Sequence, residues 1–165
     1  MSLENTSGRG VLSHYNGRST TSKYGGGQTS KGVIKEATWV FDYNELPTGS
    51  TSALDLSIPA YAKIIRSYFE VLVAFTSTST TTDLTVGFEQ ADGTDIDVDG
   101  LHTAAVLTQT AIATRGNTYL GTGNLVMADM GAAAGELVVI PSAADLLTGR
   151  ARVVVEYMLE GAGGA

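Results

Sequence analysis

From position 36 onward the chain alternates apolar and polar residues with a period of two, the spacing that turns one face of a β-strand into a core and the other outward. Trp39 shares a face with Phe41 and Tyr43. Leu54, Leu56 and Ile58 alternate with Asp55 and Ser57, and Pro59, which has no N–H to donate, ends that ladder. The strongest run puts Phe69, Val71, Val73 and Phe75 on one side and Tyr68, Glu70, Leu72 and Ala74 on the other, as expected of a central strand. Beyond the polar stretch 76–82, Leu84, Val86 and Phe88 alternate with Thr85, Gly87 and Glu89. Asp92-Gly93 then supplies tight-turn chemistry, and the returning strand points Ile96 and Val98 inward. Further strands are predicted at 125–127, 137–140 and 153–159, the last with Val153, Val155, Tyr157 and Leu159 on one face. Residues 101–114 leave two readings open. Leu101, Ala105, Val106 and Leu107 suit a short helix, while the Thr-rich continuation to Ile112 suits a strand. Positions 131–135 read as a loop or bend. Short strands separated by turn signals, with no long amphipathic helix, predict an all-β fold: a two-sheet β-sandwich, with a jelly roll the preferred arrangement.

Composition changes the picture at the N-terminal end. Residues 1–35 hold five cations (Arg9, Arg18, Lys23, Lys31 and Lys35) against one anion, Glu4, for a balance of +4. The remaining 130 residues hold 5 cations and 16 anions, giving −11 and a total of −7. With seven Gly and ten Ser or Thr, the first 35 residues lack the apolar surface that would offset the cost of ordering them. The expected organisation is therefore an extended basic arm at 1–35, a β-sandwich domain at 36–160 and a flexible tail at 161–165. Such an arm acquires a fixed path only against a partner.

Several classes of function lose support from composition alone. Cysteine is absent, so no disulfide or thiolate metal site forms. Residues 1–10 lack the apolar centre of a secretory signal, and no stretch approaches the ~20 apolar residues that span a bilayer, so a soluble cytosolic product with no membrane partner is expected. An acidic body is a poor ligand for phosphates, which makes nucleic acid the less favoured partner.

Candidate chemistry is sparse. Asp95-Ile96-Asp97-Val98-Asp99-Gly100 matches the opening of a calcium loop, but Val106 stands where the closing bidentate Glu belongs. The solvated face of a strand explains Asp95, Asp97 and Asp99 without a metal and is preferred. Gly25-Gly26-Gly27-Gln28-Thr29-Ser30-Lys31-Gly32 lacks the Gly-Lys-Ser/Thr order of a phosphate loop and reads as a tether. Gly121-Thr122-Gly123 meets Val126 where a dinucleotide fingerprint has its third Gly, leaving turn or bulge glycines as the explanation. His14 and His102 are the available imidazole bases; no nucleophile elbow accompanies them, and His102 reads as a surface residue beside the acidic hairpin. Glu70 and Glu89 form a carboxylate pair only if their strands adjoin, and both read as solvated. No catalytic residue and no cofactor is expected. In the arm, Tyr15 and Tyr24 stand near Arg18 and Lys23, a mixture that suits an acidic protein groove better than a single strand of nucleic acid. The partner-binding candidates are Arg9, Arg18, Lys23, Tyr24, Lys31 and Lys35.

Three stretches also carry a resemblance: Ser67-Tyr68-Phe69-Glu70-Val71; Leu84-Thr85-Val86-Gly87-Phe88-Glu89-Gln90 with Asp92-Gly93; and Leu147-Thr148-Gly149-Arg150-Ala151-Arg152-Val153-Val154-Val155-Glu156-Tyr157. Over roughly 36–159 the chain resembles small virion structural proteins of marine tailed phages, among them capsid cement or decoration proteins. That resemblance implies a non-enzymatic β-sandwich or jelly roll, a homotrimer on the head shell, and the phage major capsid protein as partner. Two other readings stay open: a tail, portal-adaptor or fibre-anchoring subunit, and a calcium-assisted carbohydrate-binding module using Asp95, Asp97 and Asp99.

Overall fold

The computed structural model of the chain describes residues 12–13, 27–31, 34–46, 53–79, 81–142 and 146–159. Its strands are β1 (Leu12–Ser13), β2 (Gly27–Lys31), β3 (Ile34–Asp42), β4 (Ala53–Ile58), β5 (Ala62–Ser77), β6 (Leu84–Glu89), β7 (Asp95–His102), β8 (Thr118–Leu120), β9 (Gly135–Pro141) and β10 (Leu146–Leu159). A single helical turn, α1 (Gln109–Ile112), precedes β8. One sheet runs β1-β2-β3-β10-β5-β8 and the other β4-β9-β6-β7, with every pair antiparallel. From β3 to β10, the β6–β7 hairpin is the connection that stays within one sheet; each of the others crosses the sandwich. That strand order is an eight-stranded jelly roll, with β1 and β2 extending one sheet past β3.

The alternation read from the sequence explains why the sheets stack. Trp39 and Phe41 of β3, Phe69 and Phe75 of β5, and Val153, Val155 and Tyr157 of β10 are buried against Val86, Phe88, Leu137 and Val139 of the facing sheet. Each large apolar side chain buried this way contributes about 1.5–3 kcal/mol. Trp39 meets Phe88 edge-on with ring centroids 6.3 Å apart, and its indole N–H donates to the Leu56 carbonyl at 3.2 Å. Those two contacts hold β3 against β4 and β6 of the other sheet. β6 and β7 are joined by the expected turn: Gly93 has φ +82°, and the Thr94 N–H donates to the Asp92 carboxylate at 2.9 Å, which holds that carboxyl below its ordinary value.

Four local departures from the sequence reading have physical causes. Residues 125–127 form no strand: Leu125 turns inward against Gly100, its N–H bonds the Gly100 carbonyl, and two successive tight turns follow. The eighth strand is instead the three-residue β8, bonded to β5. Val73 is 43% exposed rather than buried, because the β10–β5 register slips between Arg150 and Ala151. Residues 101–114 reverse the two alternatives: Leu101 and His102 finish strand β7, and the helical turn falls in the Thr-rich continuation, where Thr108 caps α1 by accepting from the Ala111 N–H. At the arm boundary, β3 starts at Ile34 and pairs with β2, so the sheet takes in residues on both sides of position 35. The tail 161–165 lies outside the described residues.

Candidate interaction surfaces

Each sheet presents an outer face, and the two differ in charge. On the six-stranded sheet Ala151, Val153, Val155 and Tyr157 of β10 fill the core, which leaves Arg150, Arg152 and Glu156 on the outer face. Cross-strand register then sets an opposite charge beside each of them. Arg150 donates to Asp42 at 2.7 Å, Arg66 donates to Glu156 at 2.7 Å, and Arg152 is paired with Glu70. Glu156 holds the Arg66 guanidinium even more firmly protonated, and Arg66 also lies 5.8 Å from the centre of the Tyr68 ring. An open depression of ≈ 360 Å³ lies among Glu36, Thr38, Tyr68, Glu70, Arg152 and Val154. This face is a neutralised lattice of ion pairs. Glu70 is therefore partnered, and because β5 and β6 belong to different sheets it forms no pair with Glu89.

The four-stranded sheet has no such balance, for none of its strands contains Lys or Arg. Glu89 lies on its outer face, directly opposite Glu136 of β9 on one side and Asp95 of β7 on the other. Contrary to the solvated state expected for it, Glu89 is only 3% exposed, and its Oε2 has no hydrogen-bond partner. Beside this row β7 bulges over Gly87: a Cβ there would come within 2.0 Å of the Asp97 carbonyl, so only Gly fits the approach. Asp97 is partly buried by the bulge, and desolvation, with the hydrogen bond and charge of Asp99, pushes its carboxyl up. Asp95 and Asp99 are exposed. Among the described residues no three carboxylate or imidazole groups, Asp95, Asp97 and Asp99 included, are placed to hold a metal ion.

His102 is not at the surface. It is fully buried between the sheets, edge-on to Phe69, and shares a 3.0 Å hydrogen bond through Nε2 with the equally buried Ser67. Its Nδ1 has no partner, and burial lowers its pKa to about 4. A hydroxyl and an imidazole both sealed from solvent cannot meet a substrate, so the pair is a structural one. Gly121 and Gly123 bring the following loop against it: the Gly121 N–H donates to the Ser67 carbonyl at 2.7 Å, and a Cβ on Gly123 would stand 2.3 Å from the Gly100 carbonyl group. Close backbone approach, not phosphate binding, accounts for both glycines.

Two exposed apolar side chains, invisible to periodicity, mark one end of the sandwich. Tyr61 is 59% exposed at φ +57°, and Met127 is 66% exposed at φ +66°. Their segments run side by side, with the Tyr61 N–H donating to Gly131 and the Met127 N–H to Ile64. Two apolar residues left exposed at positive φ make this end a candidate contact site. A sequence signal existed for Met127 in the glycines flanking its loop, but none for Tyr61. Of the arm candidates, Lys35 lies half-buried on β3, and Lys31 contributes backbone to β2. Arg9, Arg18, Lys23 and Tyr24, with Tyr15 and His14, lie outside the described residues. No helix among the described residues is long and apolar enough to cross a membrane.

No family model matches this chain, and no curated protein matches it in sequence. Solved structures do match its fold. The capsid asymmetric unit of cyanophage Pam1 contains a chain 17% identical, with 87% of this chain and 94% of that chain covered at a TM-score of 0.58. The acid-stable capsid of Helicobacter pylori bacteriophage KHP30 gives 18% identity, coverage of 78% and 89%, and a TM-score of 0.53. The capsid of Ralstonia phage GP4 gives 15% identity, coverage of 79% and 86%, and a TM-score of 0.50. At these identities the likeness is one of fold.

Proposed function

We propose that this chain is a non-enzymatic structural protein of a phage virion, and specifically a cement or decoration protein of the head. The observation that supports the reading most is mutual coverage: nearly the whole of this chain and nearly the whole of a chain in a phage capsid share one jelly roll. The matched molecule is therefore of similar size, with no room for a large additional domain. The candidate surfaces agree. The neutralised sheet, the acidic sheet and the apolar pair Tyr61 and Met127 are suited to contact with neighbours, and the described imidazole, His102, is sealed in the core.

A cement protein strengthens a shell by binding the assembled lattice and not the free subunits, which shifts the equilibrium toward the mature shell by mass action. In this reading the body seats on the major capsid protein at the head surface as a homotrimer. The basic arm, with Arg9, Arg18, Lys23 and Tyr24, reaches adjoining subunits at high effective concentration, while Lys31 and Lys35 hold its root on β2 and β3. The test adds purified full-length protein to shells lacking it and to unassembled capsid subunits. The reading expects saturable binding to shells alone, with a raised shell melting temperature. Equal binding to free subunits, or no binding to shells, would overturn it. Deletion of 1–26 is expected to abolish attachment while leaving the body's own melting temperature nearly unchanged.

A further inference from the structure

We propose that the row of Asp95, Glu89 and Glu136 on the outer face of the four-stranded sheet receives a Lys or Arg side chain from the basic segment 1–35 of a second copy of this chain. Like charges directly opposite one another on adjacent strands repel, and here three carboxyl-bearing residues stand in line across β7, β6 and β9. The middle one is 3% exposed with an oxygen that bonds nothing. A buried unpaired carboxylate is costly unless a cation approaches it, and a cation paired with Glu89 would also weaken the repulsion from the two flanking carboxyls. A side-chain cation fits better than a metal, because the geometry brings no three such groups close enough to share an ion.

The described part of the body has no cation to spare. Arg66, Arg150 and Arg152 are paired with Glu156, Asp42 and Glu70 on the opposite face. Lys63 lies on β5 opposite Asp129, Lys35 on β3, and Arg115 on the loop before β8, all away from the four-stranded sheet. The cations that remain are Arg9, Arg18, Lys23 and Lys31, in a segment of balance +4 facing a body of −11.

Reach favours a neighbour's arm over the chain's own. β1 and β2 tether the arm at the far edge of the six-stranded sheet, beyond β3. From β2 around the β3–β4 edge to β6 the path is about 25 Å, at ≈ 10 Å between sheets and ≈ 4.8 Å per strand. Arg18 stands five residues from Ser13 and Lys23 four from Gly27, backbone spans of at most about 17 Å and 14 Å fully extended, to which the side chain adds only several ångström. Arg9, three residues from Leu12, reaches about 10 Å. A contact of arm to face between copies is head-to-tail, and closes into a ring when the rotation allows. The proposal stands on charge and burial and does not need the virion reading, to which it would add a link between neighbouring copies.

The experiment mixes full-length protein of two isotopic compositions and couples Lys amines to carboxylates with a water-soluble carbodiimide, using an Arg18→Lys variant to extend coverage. Mixed-isotope peptides joining residue 18, 23 or 31 to Glu89, Asp95 or Glu136 are expected. Single-isotope cross-links alone, or cross-links that avoid this face, would overturn the proposal. Self-association measured by sedimentation is expected to weaken at least tenfold in Glu89→Gln/Asp95→Asn/Glu136→Gln. It should weaken equally in Arg9→Gln/Arg18→Gln/Lys23→Gln, whose changes lie outside the described strands and so separate lost contact from misfolding. Unchanged association in the arm variant would count against the proposal even if shell attachment proved normal.

Discussion

Acid should destabilise this protein through one buried imidazole. His102 has its pKa lowered from 6.5 to about 4 because the sheets strip its water and leave Nδ1 without a partner. The folded state therefore holds the neutral form, while the unfolded chain binds a proton from about pH 6.5 downward. Stability is full above 6.5 and declines as pH falls toward 4, since the unfolded state binds more protons throughout that window. At ~1.36 kcal/mol per pH unit, the loss attributable to His102 is about 3 kcal/mol, a large share of the ~5–15 kcal/mol of a typical domain. Urea unfolding of the wild type and of His102→Gln, at fixed protein concentration and at pH 7.5, 6.0, 5.0 and 4.5 in one buffer series, isolates the effect. Gln keeps an amide near Nε2 for Ser67 and cannot titrate. The difference between the two stability curves is expected to close by about 2.5 kcal/mol between the highest and the lowest pH of the series. Parallel curves would refute the burial argument.

Gly123→Ala should cost about 3 kcal/mol or more in urea unfolding, because its Cβ would meet the Gly100 backbone, which cannot move aside as a flexible side chain would. Met127→Gly relieves a positive φ and is expected to raise thermal stability by about 1 kcal/mol while weakening shell attachment; lowered stability would show that the turn depends on the side chain. Arg152→Ala should change stability by less than about 1 kcal/mol, since its pair with Glu70 is partly exposed to solvent. Asp97→Asn is expected to raise the melting temperature at pH 7, where the wild type holds a disfavoured charge beside Asp99. The gain should shrink as pH falls and Asp97 takes up its proton, and a pH-independent effect would contradict this assignment.

Period-two patterning was legible wherever a strand is long and has one buried face. β3, β5 and β10 follow it nearly residue by residue, and Pro59 and Asp92-Gly93 ended their strands as their chemistry requires. Short elements were not. β8 has three residues, too few to show a period, while Leu125 to Met127 has the composition of a strand but is turned in by its contact with Gly100. Burial on an outer face was also hidden. Glu89 and Gly87 sit at outward positions by alternation, and only the β7 bulge, a product of register, changes what lies around them. His102 was misplaced for a related reason: beyond the bulge, three consecutive residues at the end of β7 are buried, which no alternation predicts. The jelly-roll order was an expectation from strand number and resemblance, and crossing connections, which spacing does not encode, are what establish it. The candidate interaction residues divide likewise: charge asymmetry was readable and the glycines around Met127 hinted at its turn, whereas the exposed Tyr61 left no signal.

The central claim is that this jelly roll is a virion component of the head. Quantitative mass spectrometry of purified particles, joined to a density map of the intact virion, tests it most directly. The account predicts hundreds of copies per particle, with jelly-roll density seated on the outer head surface. Absence from purified particles, or a handful of copies confined to the tail, would contradict it.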